Sequence, residues 1–375
     1  MTVITFNPKF SFNSAFNKND KLTVEKFYRI PKTLSVNNID KDLILQINHQ
    51  TPLMIPALKL TYRKVKSAIL YLDKFYDKNK EFKKQFYSIR NTLHPFGSLR
   101  LYINSTLVGK QKATNAFMKM YEFLEIFHPK FNSLFDIASS PGMFVIAAAH
   151  KRLSTYGDKL KWDACSYIPP SESIYLQDDY SLFSSNKDHF YNVNVLEDKD
   201  CQNLLKKVKK YDLVTGDIGS NHGYNDLQED IHRTLQYRQA YLALNLVNKG
   251  GSIFLKMYTC INNNTIYLIN VLSKHFEKFY LWKPYTSRIL NNEIYIVGIN
   301  KNDKIPDLDL NWKESYPIQE NTQIFYNFFY KLAKKRLDLV KGFLKNNKNP
   351  LVGQWQQEMN PILQTLKHLK YKPVI

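Results

Sequence analysis

Leu134-Phe135-Asp136-Ile137-Ala138-Ser139-Ser140-Pro141-Gly142-Met143-Phe144-Val145-Ile146 passes from an apolar strand through a proline–glycine turn into a helical pattern. In open α/β sheets ligands sit beyond the carboxyl ends of the strands, near the point where strand order reverses. Gly142 lets the backbone turn sharply and approach a ligand closely. Pro141 fixes φ just ahead of the helix. The stretch lacks the three-glycine fingerprint that brings a pyrophosphate to a helix N-terminus, so it suits a ligand without phosphates better. Taken alone it reads equally as a cofactor loop or as a plain strand-to-helix turn.

Outward from this turn, residues 111–300 alternate short apolar runs with helical patterns. Strands are expected at Leu134–Ala138, Lys161–Tyr167, Phe190–Val195, Leu213–Asp217, Ser252–Met257, Phe279–Lys283 and Glu293–Asn300. Helices are expected at Met143–Leu153, Lys199–Lys209, Leu227–Val247 and Thr265–His275. Such alternation predicts a doubly wound, mostly parallel seven-stranded sheet. The short segment between the last two strands predicts a hairpin, with the final strand antiparallel.

Two further zones flank this one. Residues 1–110 form a basic N-terminal extension, with a helix expected over Ala57–Phe75. Its apolar stripe is Val65, Ile69, Leu72 and Phe75, and Lys59, Arg63, Lys64, Lys66 and Lys74 give it charge. Residues 301–375 read as a helical C-terminal extension punctuated by Pro306, Pro317, Pro350 and Pro361. One helix there carries Lys331, Lys334, Lys335, Arg336 and Lys341; it reads either as a packing appendage or as a binding surface.

The charge balance points to a polyanionic partner. The chain of 375 residues has 53 Lys+Arg against 33 Asp+Glu, a net +20. Residues 1–100 hold 18 basic and 7 acidic side chains, so +11 of that excess lies there. AT-rich coding offers a purely compositional alternative. Hydrophobic residues at 44% and aromatics at 14% fit a globular chain. Met1–Phe16 is mixed and polar rather than signal-like, and no apolar run is long enough for a membrane span. Cys165, Cys201 and Cys260 are far apart, which argues against a disulfide framework or zinc site and for a reducing compartment. A soluble intracellular protein without a metal is expected.

Four more pieces bear on chemistry. Asn115-Ala-Phe-Met-Lys-Met places Lys119 in a helical pattern. Tyr211-Asp-Leu-Val-Thr-Gly-Asp-Ile-Gly puts Asp217 at a strand end. Gly250-Gly-Ser-Ile-Phe-Leu-Lys-Met puts Lys256 at the end of the next. Lys283-Pro-Tyr-Thr-Ser-Arg-Ile-Leu-Asn-Asn-Glu-Ile-Tyr-Ile-Val-Gly starts the final strand with Glu293.

Together with the opening turn, these pieces resemble the motifs of the FtsJ/RrmJ-type methyltransferases over about residues 111–300, the last motif being the most specific. The resemblance implies a Rossmann-like methyltransferase fold, S-adenosyl-L-methionine as cofactor, and a Lys119–Asp217–Lys256–Glu293 catalytic tetrad for ribose 2′-O-methylation. It also implies that Asp136, Ala138, Ser139, Ser140, Pro141, Gly142, Met143 and Phe144 form the cofactor loop. Met143 stands where the family has a second glycine, which narrows the pocket. Ser166 stands where the family often has a ribose-binding acid, so its hydroxyl or Tyr167 is expected to substitute. Asn194 falls where the family meets the adenine edge, and Asp217 is expected to face the positive methyl donor.

The chemistry accounts for these residue types. A ribose hydroxyl is a poor nucleophile unless its proton is being removed. Lys256 serves as that base only when neutral, and both Lys119 and partial burial are expected to depress its pKa. Asp217 and Glu293 would position the two amines.

RNA is the expected substrate, with phosphates met by basic side chains and bases by aromatic ones such as Phe86, Tyr87 and Phe96 beside Arg90. Ser287-Arg288 is expected to bond either backbone or RNA phosphate. The long extensions, and likeness to cap-forming and viral members, favour the mRNA cap-adjacent ribose. Capping or transcription proteins are expected partners, no membrane is, and the setting is cytoplasmic, or a virion for a viral member. Methylation of ribosomal or transfer RNA stays open, as does a non-catalytic RNA-binding subunit of a capping complex. A nucleotide-cofactor oxidoreductase is disfavoured by the missing three-glycine turn and by Ser166.

Overall fold

Every strand expected in the central zone forms, most of them as short runs of residues that the neighbouring layers bury. The computed structural model describes residues 36–39, 41–47, 60–71, 113–168, 182–219, 228–288, 290–310 and 315–346. The aromatic interval 83–96, Pro350 and Pro361, and the ends of the helix expected over Ala57–Phe75 lie outside them.

In chain order the described elements are β1 (Ile44–Gln46), α1 (Tyr62–Ile69), α2 (Asn115–Phe127), β2 (Ser133–Ile137), α3 (Met143–Tyr156) and β3 (Lys161–Ser166). Then come α4 (Leu182–Ser185), β4 (Phe190–Asn192), α5 (Asp198–Lys207), β5 (Tyr211–Gly216), α6 (Gln228–Ile231) and α7 (Arg233–Leu246). The last are β6 (Val247–Met257), α8 (Asn263–Ser273), β7 (Phe276–Trp282), β8 (Ile294–Lys301) and α9 (Thr322–Asn346).

The sheet runs β1-β7-β8-β6-β5-β2-β3-β4. Pairs from β6 through β4 are parallel, and β8 enters antiparallel to both β6 and β7. The seven expected strands are joined by an eighth: β1, from the N-terminal zone, pairs antiparallel with β7. Three residues in that zone are too few to show a strand period. The helix expected over Leu227–Val247 is divided at His232 into α6 and α7.

Strand order reverses between β2 and β5, so their carboxyl ends flank the switch-point crevice. The layer beneath that crevice is aromatic. Phe254 of β6 stacks on Phe123 of α2 and on Tyr295 of β8, each at 4.4 Å between ring centroids, and on Phe144 of α3 at 5.5 Å. Helix α2 is buried on nearly every face, in keeping with its near-continuous apolar sequence.

The C-terminal helix packs by its own apolar stripe. Phe325, Phe329, Leu332 and Ala333 are buried, and α9 lies against both α1 and α8. Gln323 pairs with both backbone groups of Leu60, accepting at 2.9 Å and donating at 2.8 Å, which ties the terminal zones to each other. Among the described residues no helix is long and apolar enough to cross a membrane, and no group of His, Cys, Asp and Glu could hold a metal ion.

Candidate active site

The turn after β2 is built around a left-handed glycine. Gly142 has φ 87° and caps the N-terminus of α3. The positive φ favours glycine, and a Cβ there would also displace the Leu182 side chain. Ala138 turns the chain at φ 56°. The Ser139 amide donates to the Cys165 carbonyl at 2.9 Å, and the Ser140 amide to Ser166 Oγ at 3.0 Å. Asp136 is buried below the turn, accepting from Ser139 Oγ at 2.5 Å and from Thr215 Oγ1 at 2.7 Å. Burial pushes its carboxyl up to about 7, against the lowering effect of those two hydroxyls.

This turn borders a cleft of about 400 Å³. Asp136, Ala138, Ser139, Ser140, Pro141, Met143 and Phe144 line it, together with Lys119 and Asp217. Most of the expected cofactor loop is therefore gathered at one opening, and Gly142 shapes it from behind. Ser166 braces the turn through its contact with Ser140 and is 6% exposed, whereas Tyr167 beside it is 51% exposed. Asn194 lies beyond the end of β4, and its side-chain oxygen accepts from the Leu196 amide at 3.1 Å.

Four elements converge on the other wall. Lys119 projects from α2 and donates to Glu293 Oε1 at 2.8 Å; its Nζ is 3.6 Å from Asp217 Oδ1. Lys256, the penultimate residue of β6, lies 3.3 Å from Asp217 Oδ1 and donates to the Asp217 carbonyl at 3.1 Å. Across the β6–β8 ladder its direct partner is Tyr295, whose hydroxyl donates to Asp217 Oδ1 at 2.8 Å. Glu293, expected to start the final strand, instead immediately precedes β8, two positions before Tyr295. Ser287 Oγ adds a second donor to Glu293 at 3.0 Å. Ser287 thus serves the site's carboxylate.

Charge within the cluster is tightly balanced. Burial acts to raise the Glu293 carboxyl, but Lys119 and Lys256 outweigh it and hold Glu293 well below the usual carboxylate range. Burial acts to lower Lys256, yet Asp217 and Glu293 hold it above the usual lysine range. The expectation of a depressed Lys256 is therefore corrected: two carboxylates against one neighbouring ammonium stabilise the charged form. Burial, then Asp217 and Glu293, keep the Tyr295 hydroxyl protonated, as its donation to Asp217 requires.

Three supporting residues escape sequence reasoning. Glu122 is fully buried and accepts from the amides of Tyr285 and Thr286 and from Thr286 Oγ1, at 2.8, 2.9 and 2.6 Å. Gln239 of α7 accepts from the Ile218 amide at 3.1 Å and donates to the Lys256 carbonyl at 3.0 Å, joining the ends of β5 and β6. Lys283, also fully buried, donates to Ser287 Oγ, to the Asn291 carbonyl and side chain, and to the Glu293 carbonyl. Burial, with Arg336 and Lys119 nearby, pushes its ammonium well below the usual lysine range. Lys283 belongs to a motif already noted; nothing local marks Glu122 or Gln239.

Comparison with known proteins adds a family. A model described as FtsJ-like methyltransferase matches residues 113–301, about half of the chain. A protein of African swine fever virus (isolate Pig/Kenya/KEN-50/1950) named "Probable methyltransferase EP424R" is 33% identical over 244 residues, covering 59% of this chain and 57% of that one. The chain thus spans little more than half the length of these viral relatives. A Drosophila melanogaster protein named "Cap-specific mRNA (nucleoside-2'-O-)-methyltransferase 2" is 27% identical over 216 residues, 52% of this chain and 31% of its own. An Autographa californica nuclear polyhedrosis virus protein named "Cap-specific mRNA (nucleoside-2'-O-)-methyltransferase" is 31% identical over 113 residues, 28% of this chain and 43% of that one.

Proposed function

Since the chain belongs to the FtsJ-like methyltransferase family, we propose that it methylates a ribose 2′-hydroxyl of RNA at the nucleotide next to an mRNA cap, with S-adenosylmethionine as donor. The observation that carries this reading is the convergence of Lys119, Asp217, Lys256 and Glu293 beside the cleft at the switch point, through contacts of 2.8 to 3.6 Å. The cap-specific names of the Drosophila and baculovirus relatives support the choice of nucleotide.

The residues lining the cleft fit S-adenosylmethionine. Asp217 offers a carboxylate in the lining that would attract a cationic donor, and the turn presents backbone rather than a phosphate-binding glycine fingerprint. When bound, the donor supplies an electrophilic methyl group. The ribose oxygen would take that methyl as the methyl–sulfur bond breaks and the donor leaves as a neutral thioether, while the hydroxyl proton would pass to Lys256 Nζ, which must be neutral to accept it. In the free protein Asp217 and Glu293 keep Lys256 charged. Once Asp217 also faces a cationic donor, its pull on Lys256 is shared and Lys256 titrates lower. Glu293 fixes Lys119, and Tyr295 fixes Asp217, so the groups are positioned before substrate arrives.

Labelled methyl transfer to capped and uncapped copies of one short RNA tests this. The reading predicts label on the capped copy, recovered after alkali as a resistant 2′-O-methyl dinucleotide. Label recovered on a base, or no transfer with cofactor bound and capped RNA present, would overturn it.

A further inference from the structure

Helices α1 and α9 lie side by side and leave between them a groove of about 520 Å³. Its walls carry Arg63, Lys64 and Tyr71 from the α1 side and Tyr330, Lys334 and Leu337 from α9. Arg63, Lys64, Tyr71 and Lys334 are exposed, and no carboxylate is among the described lining residues. Arg63 and Lys64 stand in the first turn of α1, and Tyr71 lies ~12 Å further along the chain direction, just past its end.

The cations are arranged around one ring. Lys64 Nζ lies 5.7 Å and Lys334 Nζ 5.8 Å from the centroid of Tyr330. Each gains from the ring's face, and an anionic ligand in the groove would meet both cations. Tyr71, 48% exposed at the end of α1, adds an open aromatic face. Cations for phosphates and rings for bases are the two features that hold a single nucleic-acid strand without reading its sequence.

The groove is also fixed relative to the site. Arg336, two residues beyond Lys334, is buried and donates to the side chain of Asn292, the neighbour of Glu293. Lys335 lies 3.8 Å from Asp42, just before β1. One face of α9 thus holds the catalytic loop and the sheet edge while another lines the groove.

We propose that the α1–α9 groove binds a single-stranded segment of the RNA substrate, away from the methylated nucleotide. This rests on the reading of the chain as an RNA methyltransferase and adds a substrate contact outside the tetrad. The net charge of +20 and the basic stretches in both terminal zones then have a local purpose.

The test uses the full chain, a fluorescent single-stranded RNA and the double variant Lys64→Glu/Lys334→Glu, with Tyr71→Ala separately. The double variant should weaken RNA binding at least about tenfold. It should also reduce the slope of log K against log salt by about 1.4, because two phosphates of a single strand are no longer neutralised. Cofactor affinity and thermal midpoint should stay unchanged, and in methyl transfer KM for RNA should rise with kcat retained. Unchanged RNA affinity and salt slope would overturn the groove, even if the double variant loses binding to an acidic peptide. Photocrosslinking of wild-type protein to 4-thiouridine RNA provides a check independent of variant folding: adducts at Tyr71 or Tyr330 are expected, and adducts confined elsewhere overturn the proposal. Groove-dependent binding without methyl transfer would remove the catalytic reading alone; methyl transfer with unchanged KM in the double variant would remove the groove alone.

Discussion

Glu122 and Thr286 are joined twice, through the Thr286 amide at 2.9 Å and its hydroxyl at 2.6 Å, both to the same carboxylate oxygen. The second oxygen holds the Tyr285 amide at 2.8 Å. Glu122 lies three residues beyond Lys119 on α2, and Thr286 sits in the loop that leads to Glu293. One buried carboxylate therefore sets the distance between the helix that supplies an amine and the loop that supplies its acid.

Glu122→Gln should loosen that link without touching the cleft. An amide can replace one acceptor oxygen but leaves other donors unmet, a cost of about 1 to 3 kcal/mol. The expected result is a lower thermal midpoint and a reduced kcat, with cofactor affinity retained. Calorimetry and steady-state kinetics check it, and a variant with wild-type stability and kcat would refute the link.

Gln239→Leu should act on position alone. The side chain touches the Ile218 amide and the Lys256 carbonyl, not the cleft. Loss of both bonds lets the ends of β5 and β6 move, so kcat should fall about tenfold or more while the KM for cofactor changes little, as misplacement of reacting groups is costly. A change confined to KM would show that Gln239 acts on binding instead.

Gly142→Ala should weaken cofactor binding about tenfold or more. The backbone at φ 87° disfavours any Cβ by about 1 to 2 kcal/mol, and that Cβ would push on the Leu182 side chain. Titration calorimetry with S-adenosylmethionine gives the readout; affinity close to wild type would contradict the assignment of the turn.

Asp136 makes stability depend on pH in a defined direction. Its carboxyl titrates near 7 when folded, against an ordinary value of 3.8. Between these values the folded chain holds a proton that the unfolded chain has lost, so the contribution of Asp136 is fully present below about 3.8 and is lost as pH rises through about 7. The total is on the order of a few kcal/mol. Thermal midpoints of wild type and Asp136→Asn, measured from pH 4 to 8, should diverge across that window in favour of the variant and run parallel above it. A difference independent of pH would refute the shift.

The sheet is legible in sequence because strands buried on both faces read as apolar runs, and the seven expected strands, most of them such runs, mostly alternate with helical patterns. The clustering of these charged side chains is legible because Asp217, Lys256 and Glu293 lie at or next to strand ends, where a charge after an apolar run stands out. Strand β1 is hidden because three residues carry no period. Glu122 and Gln239 are hidden because their partners, Thr286 and the Lys256 carbonyl, are distant in sequence and chosen by packing. The charge on Lys256 departs from expectation for a related reason. Composition shows a second lysine, but only geometry shows that Asp217 lies 3.3 Å from the amine.

The most direct test of the catalytic reading is single-turnover methyl transfer to capped RNA by Lys256→Met, beside its affinity for S-adenosylmethionine. Loss of the proton acceptor should slow transfer by about 10² to 10⁴-fold, with cofactor affinity close to wild type and a lower thermal midpoint, because Asp217 and Glu293 lose a buried cation. Transfer at the wild-type rate by a variant lacking the Lys256 amine would contradict its role as the base.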